Sequence, residues 1–170
     1  MKLKITILSL SLFFVFLPQT KSKGANIRLE DTKEIKFIKE DPFNIDYVKL
    51  YDHLLKSGVK FPEIAFAQAV LESSHFTSPL FERANNLFGM QYPIKRETTA
   101  ISSTNGYSKY ENWRESVNDY KLWQEFLFNR RGELSKTEYF AYLQKWYAED
   151  KRYLTKVKNK IKEFSFIFGG

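Results

Sequence analysis

The chain has 170 residues, enough for one domain with a proper core and too few for two comfortable ones. It is 43% hydrophobic and 28% charged, with seven Gly and five Pro, which excludes a disordered, collagenous or low-complexity protein. The absence of cysteine excludes disulfides, thiolate metal sites, a cysteine nucleophile and a lipoprotein anchor, and the net charge of +7 lies partly in the first segment of the chain.

Residues 1–24 have the layout of a secretory signal peptide: Lys2 and Lys4, a run of 13 uncharged and mostly apolar residues from Ile5 to Leu17, then Pro18. The run is shorter than the ~20 residues a membrane-spanning helix needs. Ser22 and Gly24 suit cleavage after Gly24, and a cut after Ser22 is the alternative. Either leaves a charge of +3 or +4, too small to argue for a nucleic-acid partner. The expectation is an exported protein, periplasmic or extracellular, with no stable membrane insertion after cleavage. Residues 25–42 mix charge with scattered Ile and Phe and read as a lead-in, leaving 43–170 as the domain.

Helical signals follow. Asn44 is placed to cap a helix carrying Ile45, Val48, Tyr51, Leu54 and Leu55, and Gly58 to end it. Pro62 opens a second helix, apolar on most sides to Leu71, as a central buried helix is. Thr77 or Ser78, ahead of Pro79, starts a short third helix through Asn85. Between Ile94 and Glu111 the pattern changes: β-branched residues alternate around Asn105-Gly106, the signature of a hairpin. Asn112 and Glu115 begin a helix that Gly132 ends, Ser135 and Glu138 form a capping box with Leu134 and Tyr139 as staple, and a last helix runs from about Asp150 to Phe164. This predicts one mainly helical α+β domain with a small β-hairpin lobe.

Glu72 ends the most apolar helix, where partial desolvation raises a carboxyl pKa and makes a general acid. The competing reading is a helix end emerging into water. Glu72 and His75 spell E-x-x-H, but the second copy and extra carboxylates of a di-metal bundle are missing, so no metal and no cofactor are expected. No nucleophile elbow, phosphate loop or dinucleotide fingerprint occurs.

The stretch AQAVLESSHFTSPLFERANNLFGMQ, from Ala67 to Gln91, closely resembles the bacterial glucosaminidases of glycoside hydrolase family 73. The family's A-Q-x-x-L-E-S/T appears as Ala67, Gln68, Leu71, Glu72 and Ser73, and its N-N-L-F-G as Asn85 to Gly89. Two further blocks follow in order: YENWRESVNDY (Tyr110 to Tyr120) and WYAEDKRYLTKV (Trp146 to Val157).

The resemblance implies a lysozyme-like fold, a helical body and hairpin lobe flanking a groove for a glycan strand. It implies hydrolysis of the β-1,4 bond after N-acetylglucosamine in peptidoglycan, with Glu72 as catalytic acid; a monomer is expected. The family's second carboxylate lies on the variable hairpin, where Glu97 is the first candidate and Glu111 the second. Tyr110 and Tyr147 fall at groove tyrosines, with core packing the alternative for each. Ser73, Asn86 and Phe88 are expected beside the substrate, Asn86 more as a shaper of the turn, and Gly89 where a side chain would block a conformation or an approach. A muramidase or lytic transglycosylase, or a silent glycan-binding protein on the same fold, are the competing functions.

Overall fold

Seven consecutive buried residues, Ile64 to Val70, make the second helix the axis of the body. A helix with no polar face has to be surrounded, and it is. The computed structural model describes residues 44–147 and 150–169; the expected signal peptide and lead-in lie outside them. In chain order the elements are α1 (Tyr47–Ser57), α2 (Pro62–Glu72), α3 (Pro79–Ala84), β1 (Ser102–Thr104), β2 (Tyr107–Lys109), α4 (Trp113–Arg131), α5 (Lys136–Trp146) and α6 (Tyr153–Glu163), with a short 3-10 turn at Ser165–Ile167. This is the mainly helical α+β arrangement with a hairpin after the third helix.

Helices α1 and α6 pack on α2, α4 packs on α1, and α5 on α6. One apolar cluster joins Leu50, Leu54, Phe66, Val70, Trp113 and Val117; a second joins Ile64, Leu127, Tyr139, Leu143 and Val157. Aromatic residues, 17% of the chain, serve these clusters: Phe88 stacks on Tyr120 with centroids 4.2 Å apart.

The caps explain the boundaries. Ser78 accepts from Phe81 N, and Asn112 accepts from Arg114 N and Glu115 N. Glu115 does not return to Asn112; its carboxylate accepts from Asn118. Ser135 and Glu138 close a reciprocal box. The first helix differs from expectation: its cap is Asp46, whose carboxylate accepts from Lys49 N at 2.8 Å, not Asn44. Two capping residues stand two positions apart there, and spacing alone does not choose between them. The last helix begins later than expected, at Tyr153, after Asp150 has taken up the N–H of Arg152 and Tyr153.

The lobe is small. Strands β1 and β2 pair antiparallel, Ser103 opposite Ser108, and Gln91 forms a further bridge to Tyr107. Asn105 and Gly106 both have positive φ, 51° and 84°, as a two-residue type I′ turn demands. The arm leading into β1 is pinned to α4: Arg96 pairs in a fork with Asp119 at 2.7 and 3.0 Å, and Thr99 donates to the Glu115 carbonyl. Both side chains of the ion pair are almost wholly buried.

Candidate active site

Helix α2 stops abruptly after Glu72. Ser74, His75 and Phe76 take left-handed backbone at φ 49°, 59° and 68°, an arrangement costing about 1–2 kcal/mol per residue. Local hydrogen bonds offset it: Ser73 Oγ accepts from Phe76 N, Thr77 Oγ1 donates to the Ser74 carbonyl, and Ser78 N reaches the Ser73 carbonyl. The turn thus leaves Glu72 as the last residue of a fixed helix.

Glu72 lines a cleft of about 460 Å³ together with Gly89, Tyr92, Trp123, Tyr142 and Tyr147. Gly89, at φ 65°, passes so close that a Cβ there would lie 3.7 Å from a Glu72 carboxylate oxygen. A side chain would therefore be strained in backbone, while its Cβ would meet the carboxylate at ordinary contact distance. Trp146 stands at the rim, 60% exposed. The Lys145 ammonium lies over this ring at 4.9 Å, and the exposed remainder of the indole is a surface on which a sugar ring can pack.

Burial pushes the Glu72 carboxyl above its ordinary range, opposed by a hydrogen bond from Tyr153 and the attraction of Lys156. Burial raises the Tyr153 phenol too, assisted by the Glu72 charge, so it stays protonated and acts as a donor.

Behind Tyr153 runs a buried chain of polar groups. Gln68 Nε2 donates to Tyr153 Oη at 2.9 Å, and Gln68 Oε1 accepts from Tyr120 at 2.6 Å. Tyr120 and Tyr139 are 2.7 Å apart, and Gln124 donates to Tyr139 at 2.9 Å and brackets the Lys60 backbone. The amides fix the direction. With its proton given to Gln68, Tyr120 must accept from Tyr139, and Tyr153 accepts from Gln68 with its own proton left free for the Glu72 carboxylate, whose charge it stabilises. From Tyr139 through Tyr120 and Gln68, each side-chain donor points toward Tyr153.

The sequence candidates separate into three sets. Glu72, Phe88 and Tyr147 meet at the cleft, where Tyr147 donates to the Phe88 carbonyl at 2.7 Å. Ser73, Asn86 and Tyr110 are buried behind it. Ser73 holds the left-handed turn. Asn86 donates to the carbonyls of Met90 and Ser108 and accepts from Met90 N, tying the loop to the lobe. Tyr110 donates to Asp119 at 2.7 Å, so its hydroxyl is engaged away from the cleft. Glu97 and Glu111 are exposed and do not line the cleft; Arg96, beside Glu97, does.

Gln68, Trp123, Trp146 and Tyr153 carry roles that sequence reasoning did not assign. For Gln68 a signal existed, because an amide in the middle of an apolar helix must find buried partners. Both nitrogens of His75 are engaged, by Tyr47 and Lys160. No group of three or more potential metal-ligating side chains occurs among the described residues.

A protonatable carboxylate below an aromatic-walled cleft, between a helical body and a hairpin lobe, is the equipment of a glycoside hydrolase. The glucosaminidase family model, described as mannosyl-glycoprotein endo-beta-N-acetylglucosaminidase, matches residues 49–166, and the chain belongs to that family. Among solved structures it is similar to the catalytic domain of the autolysin Auto from Listeria monocytogenes, at a TM-score of 0.50. The two are 23% identical, over 72% of this chain and 84% of that one, which shows a shared fold. No curated protein matches the chain significantly.

Proposed function

We propose that the protein is an exported N-acetylglucosaminidase that hydrolyses the β-1,4 bond after N-acetylglucosamine in peptidoglycan, acting as a monomer. One observation carries the reading: Glu72 is the one carboxylate among the described residues lining the cleft, with a raised pKa and an oriented donor, Tyr153. In this scheme protonated Glu72 gives its proton to the leaving glycosidic oxygen as the C–O bond breaks. The carbonyl oxygen of the substrate's own N-acetyl group attacks the anomeric carbon, and water then opens the resulting ring, assisted by the Glu72 carboxylate. Two inversions retain the β configuration.

A second reading keeps Glu97 as the base of an inverting reaction. It is favoured by the neighbouring Arg96, which does line the cleft. An inverting pair stands ~6.5–9.5 Å apart with water between them.

The bond itself is tested by mass analysis of borohydride-reduced products from purified peptidoglycan. The reading expects reduced N-acetylglucosamine ends. Reduced muramic-acid ends, or anhydro ends, would assign a muramidase or lytic transglycosylase instead. Export is tested by intact mass after expression in a bacterial host, with a mature chain starting near Lys23 or Ala25 expected. A full-length product held in the membrane would contradict it.

A further inference from the structure

Beside the Glu72 cleft lies a second chamber of about 450 Å³, and the two share Tyr92, Trp123 and Tyr142 as a common wall. Its chemistry differs from the cleft's. Three exposed cations line it, Lys95, Arg130 and Arg131, and no carboxylate appears among the lining residues. Arg96 also reaches it, but its charge is answered by Asp119.

The other two arginines are oriented by rings instead of acids. The Arg130 guanidinium lies over Phe126 at 5.4 Å, and that of Arg131 over Tyr142 at 5.2 Å. Stacking of this kind leaves the edge N–H donors open to a carboxylate. Ile94, 95% exposed, adds apolar surface at the mouth.

Neutral N-acetylglucosamine gives no reason for three cations without an acidic partner among the described residues. An amphipathic anion does: a short peptide with apolar side chains and free carboxylates. In a peptidoglycan strand such a peptide hangs from the lactyl group of the muramyl residue next to the scissile sugar. A strand crossing Glu72 would bring it to the shared wall. We propose that this chamber is a binding site for the carboxylate-bearing stem peptide, a reading that rests on peptidoglycan being the substrate.

The probe is an N-acetylmuramyl tripeptide, a single sugar that offers no bond to cut, titrated into the full protein and followed by tryptophan fluorescence through Trp123. The expected result is saturable binding that weakens about tenfold in the double variant Arg130→Gln/Arg131→Gln, the scale of two half-open charge-assisted contacts. In parallel, hydrolysis is measured on teichoic-acid-free strands with peptides intact or removed by an amidase. The double variant should show a KM raised about tenfold on peptide-bearing strands, kcat unchanged, and wild-type kinetics on stripped strands. Circular dichroism and melting establish that the variant is folded, and Lys95→Gln serves as the independent variant if it is not. No binding of the muramyl tripeptide, equal binding by both proteins, or an equal loss on both strands would overturn the inference. A defect seen only on walls that retain teichoic acid would also overturn it, in favour of an anionic polymer. Failure of the glycosidase reading would register separately, as absence of reducing ends from stripped strands.

Discussion

Glu72 ends a helix buried for seven consecutive residues, and its hydrogen-bond donor is the terminus of a polar chain five side chains deep. Glu97 stands exposed on an arm tied to the body by a buried ion pair and a hydroxyl contact. Both are glutamates, but only Glu72 lines the cleft, and their surroundings differ in kind. On the body side, packing fixes the carboxylate and desolvation raises its pKa. On the lobe side, the Glu97 carboxylate stands in open solvent. A proton donor has to be held where water does not compete, so the helical wall suits chemistry and the lobe suits contact with the strand.

The largest expected effect breaks the lobe. Asp119→Ala leaves Arg96 buried without its partner and Tyr110 without its acceptor, and should destabilise the fold by about 3–5 kcal/mol. Denaturant unfolding checks this, and hydrogen exchange should show the arm opening before the helices. A loss below about 1 kcal/mol would mean that the arm is held by something else.

Next comes the body. Glu72→Gln keeps shape and removes the transferable proton, so turbidity clearing of cell walls should slow by at least ~100-fold. Its stability should move the other way. Burial raises the Glu72 carboxyl in the folded state, so ionising it costs stability as pH rises above the ordinary carboxyl value of 4.5. The glutamine variant should therefore melt slightly higher than wild type at pH 7, with the gap closing below the ordinary carboxyl range. A gap that widens on acidification would reverse the sign assigned to desolvation.

Gln68→Leu sharpens the comparison further, leaving Tyr120 without an acceptor and Tyr153 without a donor at a cost of about 1–3 kcal/mol. The smallest effect is expected for Tyr153→Phe. Its hydroxyl stabilises the charged form of Glu72, so its removal should raise the Glu72 pKa and move the alkaline limb of the pH–rate profile upward. A limb that moves down, or stays, would remove Tyr153 from the account.

Much of this was legible in the sequence. Ser78, Asn112, Ser135, Gly58 and Gly132 mark helix ends because capping chemistry is local, and Asn105-Gly106 marks the hairpin because both positions need positive φ. Glu72 stood out as a lone carboxylate closing an apolar run. The division of labour among tyrosines was not legible. Tyr110 and Tyr147 look alike in a motif, and what sends Tyr110 into the core is Asp119, one helix further along. Gln68 announces that it needs partners but not which; they come from 52 and 85 residues away. Long-range polar pairing leaves no periodic trace.

The account's central claim is that the reacting carboxylate belongs to the helical wall alone. It is tested most directly by following the anomeric form of the first product by proton NMR, in wild type and in Glu97→Gln. The account predicts the β-anomer first in both, with Glu97→Gln slowed less than about tenfold while Glu72→Gln falls at least ~100-fold. An initial α-anomer, with Glu97→Gln as damaging as Glu72→Gln, would contradict it and put the second catalytic carboxylate on the lobe.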